Sequence, residues 1–238
     1  MIALGLAWLI LEGAGAPTSS PLPLWGTRAA LVVAALAGWF WTQSLISKRA
    51  VPLDGIGDEL HRLSAPLNAF LLDRPRWANG ILIVTSALID LLGIFLLAWA
   101  IFGPTIRPAL GLLILFGLRQ LCQAVCTLPP PKGMIWRNPG FPSLLVTYGV
   151  ENDLFFSGHT AIAVYGAIEL GRWGGPWLGL VGAVIAITEV ATVLVLRAHY
   201  TMDVFAAVVT ALYVAALASH LAPTLDHALI GLTHLYGG

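Results

Sequence analysis

Two histidines and one carboxylate carry the chemistry that the residue types suggest. The run Leu154-Phe155-Phe156-Ser157-Gly158-His159-Thr160 is followed, forty positions after His159, by His199-Tyr200-Thr201-Met202-Asp203-Val204. A carboxylate beside an imidazole fixes its tautomer and stabilises its cationic form, which prepares the other ring nitrogen to attack an electrophile such as phosphorus. A second histidine can then protonate the departing oxygen and later deprotonate the acceptor. Ser157-Gly158-His159 is expected to open a helix, where unpaired N–H groups and the dipole attract an anion and glycine permits close approach. His199 and Asp203 are spaced i, i+4, so they share a face of a continuous helix; if Thr201 caps a helix instead, they can still meet across the cap.

The elements that position these groups must lie in a membrane. Hydrophobic residues make up 58% of the 238-residue chain and charged residues 10%, and the mean hydropathy is +0.85. Ionisable groups near apolar helix ends are then functional suspects. Stretches of about 20 apolar residues cross a hydrocarbon core of roughly 30 Å, and six are predicted, near 27–47, 78–102, 106–128, 154–171, 176–196 and 203–222. The expected fold is all-α, a polytopic bundle of six transmembrane helices over 27–238. It is preceded over 1–26 by an apolar segment whose Met1–Ala16 part reads as an interfacial helix rather than a signal peptide. Pro17, Pro21, Pro23, Gly103-Pro104 and Gly174-Gly175-Pro176 punctuate these runs. Two longer polar connections, 48–77 and 129–153, fall on the side of the histidines. The first is expected to contain an amphipathic helix and the second to be irregular.

Net charge is zero, so there is no electrostatic footprint for nucleic acid. Eight cations lie on the histidine side, Lys48, Arg49, Arg62, Arg74, Arg76, Lys132, Arg137 and Arg197. Arg28, Arg107 and Arg172 lie on the other side, with Arg119 inside the third span and Glu189 in the fifth as its potential partner. The distribution favours a cytoplasmic site, although a phosphate ligand would also require cations. Cys122 and Cys126 read as small packing residues. Neither a metal nor another cofactor is expected.

Three blocks carry a family resemblance: Arg119 followed nine and ten positions later by Leu128-Pro129, then Asp153 through Thr160, then His199-Tyr200-Thr201-Met202-Asp203. In these the chain resembles the lipid phosphotransferase branch of the type 2 phosphatidic acid phosphatase superfamily. That branch includes sphingomyelin synthases and the plant phosphatidylcholine:diacylglycerol cholinephosphotransferases. Asp153 matches the sphingomyelin synthase motif, whereas Phe141-Pro142 and Phe155 through His159 match the plant enzymes. Ordinary members of the superfamily carry a Lys-x6-Arg-Pro block and an arginine where this chain has Val193; neither feature is present.

The resemblance implies that His199 is the nucleophile forming a phosphohistidine, Asp203 its orienting partner and His159 the general acid and base, assisted by Asp153. Ser157, Gly158, Arg119, Arg197, Lys132 and Arg137 are the candidates for holding phosphate. The implied reaction moves a phospho-alcohol head group such as phosphocholine from a phospholipid donor to a lipid acceptor, diacylglycerol or ceramide. Lipid tails are expected beside Phe155, Phe156 and Tyr148. A hydrolase acting through the same intermediate, and a non-catalytic lipid carrier, are the alternatives.

Overall fold

The computed structural model describes residues 22–48, 56–148 and 154–236. Seven helices and no strand occur among them: α1 Leu22–Ile46, α2 Glu59–Leu63, α3 Ala65–Leu72, α4 Pro75–Phe102, α5 Arg107–Val125, α6 Gly158–Val195 and α7 Thr201–Tyr236. The predicted interfacial segment Met1–Ala16 lies outside the described residues, as does Asp153. Helix α1 runs from Leu22, ahead of the predicted start of the first span at 27. Proline in a first helical turn explains this, because its missing N–H would be unpaired there in any case; Pro75 and Pro108 open α4 and α5 in the same way.

Five helices are long and apolar enough to cross a membrane, and the chain is an integral multi-pass membrane protein. Helix α6 supplies two of six spans because it breaks in the middle. Gly174 is non-helical, Gly175 has a φ of +77° that favours glycine, and Pro176 restarts the helix. The halves 158–173 and 176–195 fold back on each other. A Cβ on Gly182 would lie 2.5 Å from the Ala167 Cα, and one on Gly171 would lie 3.2 Å from the Gly179 Cα. Small residues thus let two backbones meet, a common device where lipid supplies no hydrophobic drive. At 1.5 Å per residue the first half rises roughly 24 Å, less than a hydrocarbon core.

The last span runs well past 222, continuing through Pro223 to Tyr236. Its extension is anchored by Asp226, which accepts from Thr105 Oγ1 at 2.6 Å and from Ile106 N at 2.8 Å and pairs with buried Arg28 at 3.3 Å. On the same side, fully buried Glu169 bridges Arg107 and Arg172. The three cations opposite the histidines therefore have acidic partners.

The first polar connection on the histidine side holds two short helices, α2 and α3, where one was predicted; 129–148, the described part of the second, is irregular as expected, whereas α5 ends at Val125, three residues short of the predicted 128 and ahead of the proline run 129–131. Asp90 in α4 fastens the irregular segment by accepting from Leu144 N and Leu145 N at 2.8 and 2.9 Å. Buried Asn68 donates to the carbonyls of Gly133 and Val195, tying α3, the irregular segment and the end of α6 together.

Candidate active site

The starts of α6 and α7 are joined at their backbones. Ser157 N donates to the Asp203 carbonyl at 3.2 Å. The Ser157 hydroxyl accepts from Thr160 N, a helix cap, and the side chain is fully buried. Ser157 therefore builds the helix start, while Gly158 forms the wall of the site. A Cβ on Gly158 would stand 3.3 Å from Arg119 Nε, so glycine is what lets the guanidinium lie against this turn.

His199 precedes α7, which begins at Thr201, so His199 and Asp203 meet across a helix cap rather than along a helix face. Asp203 Oδ2 accepts from Tyr200 N at 2.8 Å, as a third helical residue does in a capping box. It lies 3.8 Å from His199 Nδ1, beyond hydrogen-bond distance. The imidazole is instead oriented by a main-chain group: Nδ1 meets the Leu154 carbonyl at 2.9 Å. A carbonyl only accepts, so Nδ1 carries the proton in the neutral ring and Nε2 keeps its lone pair. A backbone acceptor leaves no signal in side-chain patterns.

Four elements converge on a cavity of about 40 Å³ bordered by Arg119, Gly158, His159, His199 and Trp136. That volume exceeds the roughly 10–15 Å³ needed to hold one water. The ring of His159 stands edge-on to Trp136 at 4.9 Å, and its Nε2 is buried with no hydrogen-bond partner. Arg119 donates from Nε to the Phe156 carbonyl at 2.8 Å and from Nη1 to Gln123 Oε1 at 3.5 Å. Glu189 is not the partner anticipated for it, since neither carboxylate oxygen of Glu189 has a hydrogen bond.

Arg197, Lys132 and Arg137 do not line this cavity. Arg197, with a φ of 55°, donates to the carbonyls of Lys132 and His61 and so ties the turn before His199 to both polar connections. Arg137 donates to Asn79 Oδ1, and Lys132 is exposed.

Helix α2 braces the His199 segment through residues that sequence spacing did not single out as site residues. Buried His61 meets the His199 carbonyl through Nε2 at 2.9 Å and stacks on Tyr200. Asp58 accepts from Thr201 N and Thr201 Oγ1 and from His61 N. Burial pushes the Asp58 carboxyl up, but these hydrogen bonds outweigh it and hold the group below the usual carboxylate range. Burial raises Tyr200, keeping its hydroxyl neutral as a donor to the Pro129 carbonyl at 3.0 Å.

A second, apolar chamber of about 710 Å³ lies between α1, α4, α5 and the extension of α7, within the range of about 300–1,000 Å³ common for ligand pockets. Trp39, Phe116, Leu145 and Ile162 border both spaces, so the chamber abuts the polar cavity. Phe155, Phe156 and Tyr148 are not in its wall; Phe156 is buried in the core, and Tyr148 packs on Trp136.

Fold and site together define a polytopic membrane protein that gathers paired histidines, a carboxylate and an arginine at one end of a helix bundle, beside an apolar chamber. The chain matches the AtPDCT1/2 family over residues 58–220, more than half of its length. It belongs to that family, the phosphatidylcholine:diacylglycerol cholinephosphotransferases, and hence among lipid head-group transferases. Neither a curated protein nor a solved structure matches it.

Proposed function

We propose that the chain transfers phosphocholine from a glycerophospholipid to the hydroxyl of a lipid such as diacylglycerol or ceramide, through a phosphohistidine on His199. The observation that carries this reading is the hydrogen bond from His199 Nδ1 to the Leu154 carbonyl, which leaves Nε2 as a nucleophile beside a cavity shared with His159 and Arg119. Nε2 attacks phosphorus, the bond from phosphorus to the diacylglycerol oxygen breaks, and protonated His159 gives that oxygen its proton. The acceptor hydroxyl then loses its proton to His159 and attacks phosphorus, and the phosphorus–nitrogen bond breaks to restore His199. One phosphodiester replaces another, so the reaction is reversible.

Arg119 and Gly158 offer the phosphate a cation and first-turn N–H groups. Asp203, fully buried and 3.8 Å from Nδ1, stabilises the imidazole as it becomes cationic. Asp153 assists His159 in this scheme. Excess cations on the histidine side support a cytoplasmic site.

Head-group-labelled phosphatidylcholine, with diacylglycerol and ceramide supplied in parallel, tests the reading in liposomes. Label should appear on a lipid acceptor and be lost in His199→Ala. Soluble phosphocholine as the sole labelled product would identify a hydrolase instead.

A further inference from the structure

The apolar chamber is graded along its length. Its deep end is formed by Ile106, Leu110, Leu113 and Leu225. At the other end stands Gln120, beside Arg119 in sequence and one turn beyond Phe116, which borders both spaces. Gln120 Nε2 makes a long 3.4 Å hydrogen bond to Gln43 Oε1 across the α1 and α5 interface. Its Oε1 is buried with no hydrogen-bond partner. Thr42, another polar side chain of the wall, is satisfied by carbonyls of its own helix, whereas an orphan amide oxygen is unfavourable unless a ligand meets it.

We propose that Gln120 reads the ester or amide group that joins an acyl chain to the backbone of a two-chain lipid alcohol, and thereby sets acceptor preference. This assignment rests on the transferase reading above. A lipid whose reacting hydroxyl reaches the cavity at His159 and His199 places its chains in the chamber and its backbone at the depth of Arg119, where Gln120 stands. Turned toward the chamber, Oε1 accepts an amide N–H, the chemistry of a ceramide. A half-turn of the terminal torsion gives up the long bond to Gln43, sets Oε1 toward Gln43 Oε1, and presents N–H to an ester carbonyl, the chemistry of a diacylglycerol. Gln120 touches the backbone and not the reacting atoms, so it is a specificity residue.

The test compares diacylglycerol with dialkylglycerol, which keeps the hydroxyl and both chains but lacks the carbonyls, and adds ceramide as a third acceptor. The parent should favour at least one carbonyl-bearing acceptor over the dialkyl lipid, and which one it favours tells ester from amide. In Gln120→Leu and Gln120→Met that ratio of kcat/KM values should fall about three- to ten-fold, the worth of one hydrogen bond. Loss of mere interhelical packing would lower all acceptors together and leave the ratio unchanged. A parent without the preference, or variants that keep it, would overturn the assignment of Gln120 alone. A parent that transfers label to no acceptor at all would overturn the transferase reading, and this inference with it.

Discussion

At the residue scale, His199 is held from two directions, by the Leu154 carbonyl at Nδ1 and by His61 at its own carbonyl. Asp203 adds charge at 3.8 Å without hydrogen-bonding the ring. Asp203→Asn retains an oxygen to accept Tyr200 N–H, so the cap and the fold should survive. The cationic imidazole loses its counter-charge, and kcat should fall by about 10²-fold or more, measurable as initial transfer rates at equal protein folding. Gly158 makes a different contribution, since a methyl there would press on Arg119 at 3.3 Å. Gly158→Ala should lower kcat/KM about ten-fold by displacing the guanidinium while leaving the thermal midpoint nearly unchanged, a split that paired activity and unfolding assays would read.

Among the elements, α2 has a role out of proportion to its five residues. Asp58 precedes it, caps it through His61 N and also receives both donors of Thr201, the first residue of α7. Its carboxyl is held below the ordinary range in the folded protein. The stability it contributes is therefore complete above the unfolded value of about 3.9 and is lost as pH falls through the lower folded value. Thermal unfolding of the parent and of Asp58→Asn should differ at pH 7, with the parent more stable, and converge on acidification below about pH 4. A gap that persisted in acid would remove the charged form from the explanation. Loosening this cap also frees the turn carrying His199, so the variant's activity at pH 7 should fall as well.

For the whole molecule, the arrangement of spans places a small polar cavity against a large apolar chamber, with the extension of α7 closing the chamber's far end through Leu225, Leu229 and Leu232. Ala109 lines the chamber away from the histidines. In Ala109→Trp the indole would occupy chain space without touching the polar site. Its kcat/KM should fall more for long-chain than for short-chain substrates, by about ten-fold, the scale of one or two methylenes of lost burial. Equal losses across chain lengths would separate the chamber from lipid binding.

Much of this protein was legible in the order of its residues. Apolar runs of spanning length dictate helices because a bilayer leaves no other partner for backbone groups, and Gly174-Gly175-Pro176 encodes the turn that makes two spans of α6. The histidine motifs pointed to the candidate centre because ionisable groups are rare at such helix ends. Other features depend on contacts between segments far apart in the chain. Leu154 orients His199 through a main-chain oxygen, which has no residue signature. Arg197 and Ser157 are engaged in tying turns and capping a helix, although their types suit phosphate equally well. The chamber beside Gln120 exists only because α1, α5 and the end of α7 stand apart there. Local sequence determines which segments are helices and which groups can react; packing alone decides which way each group points and what empty space it faces.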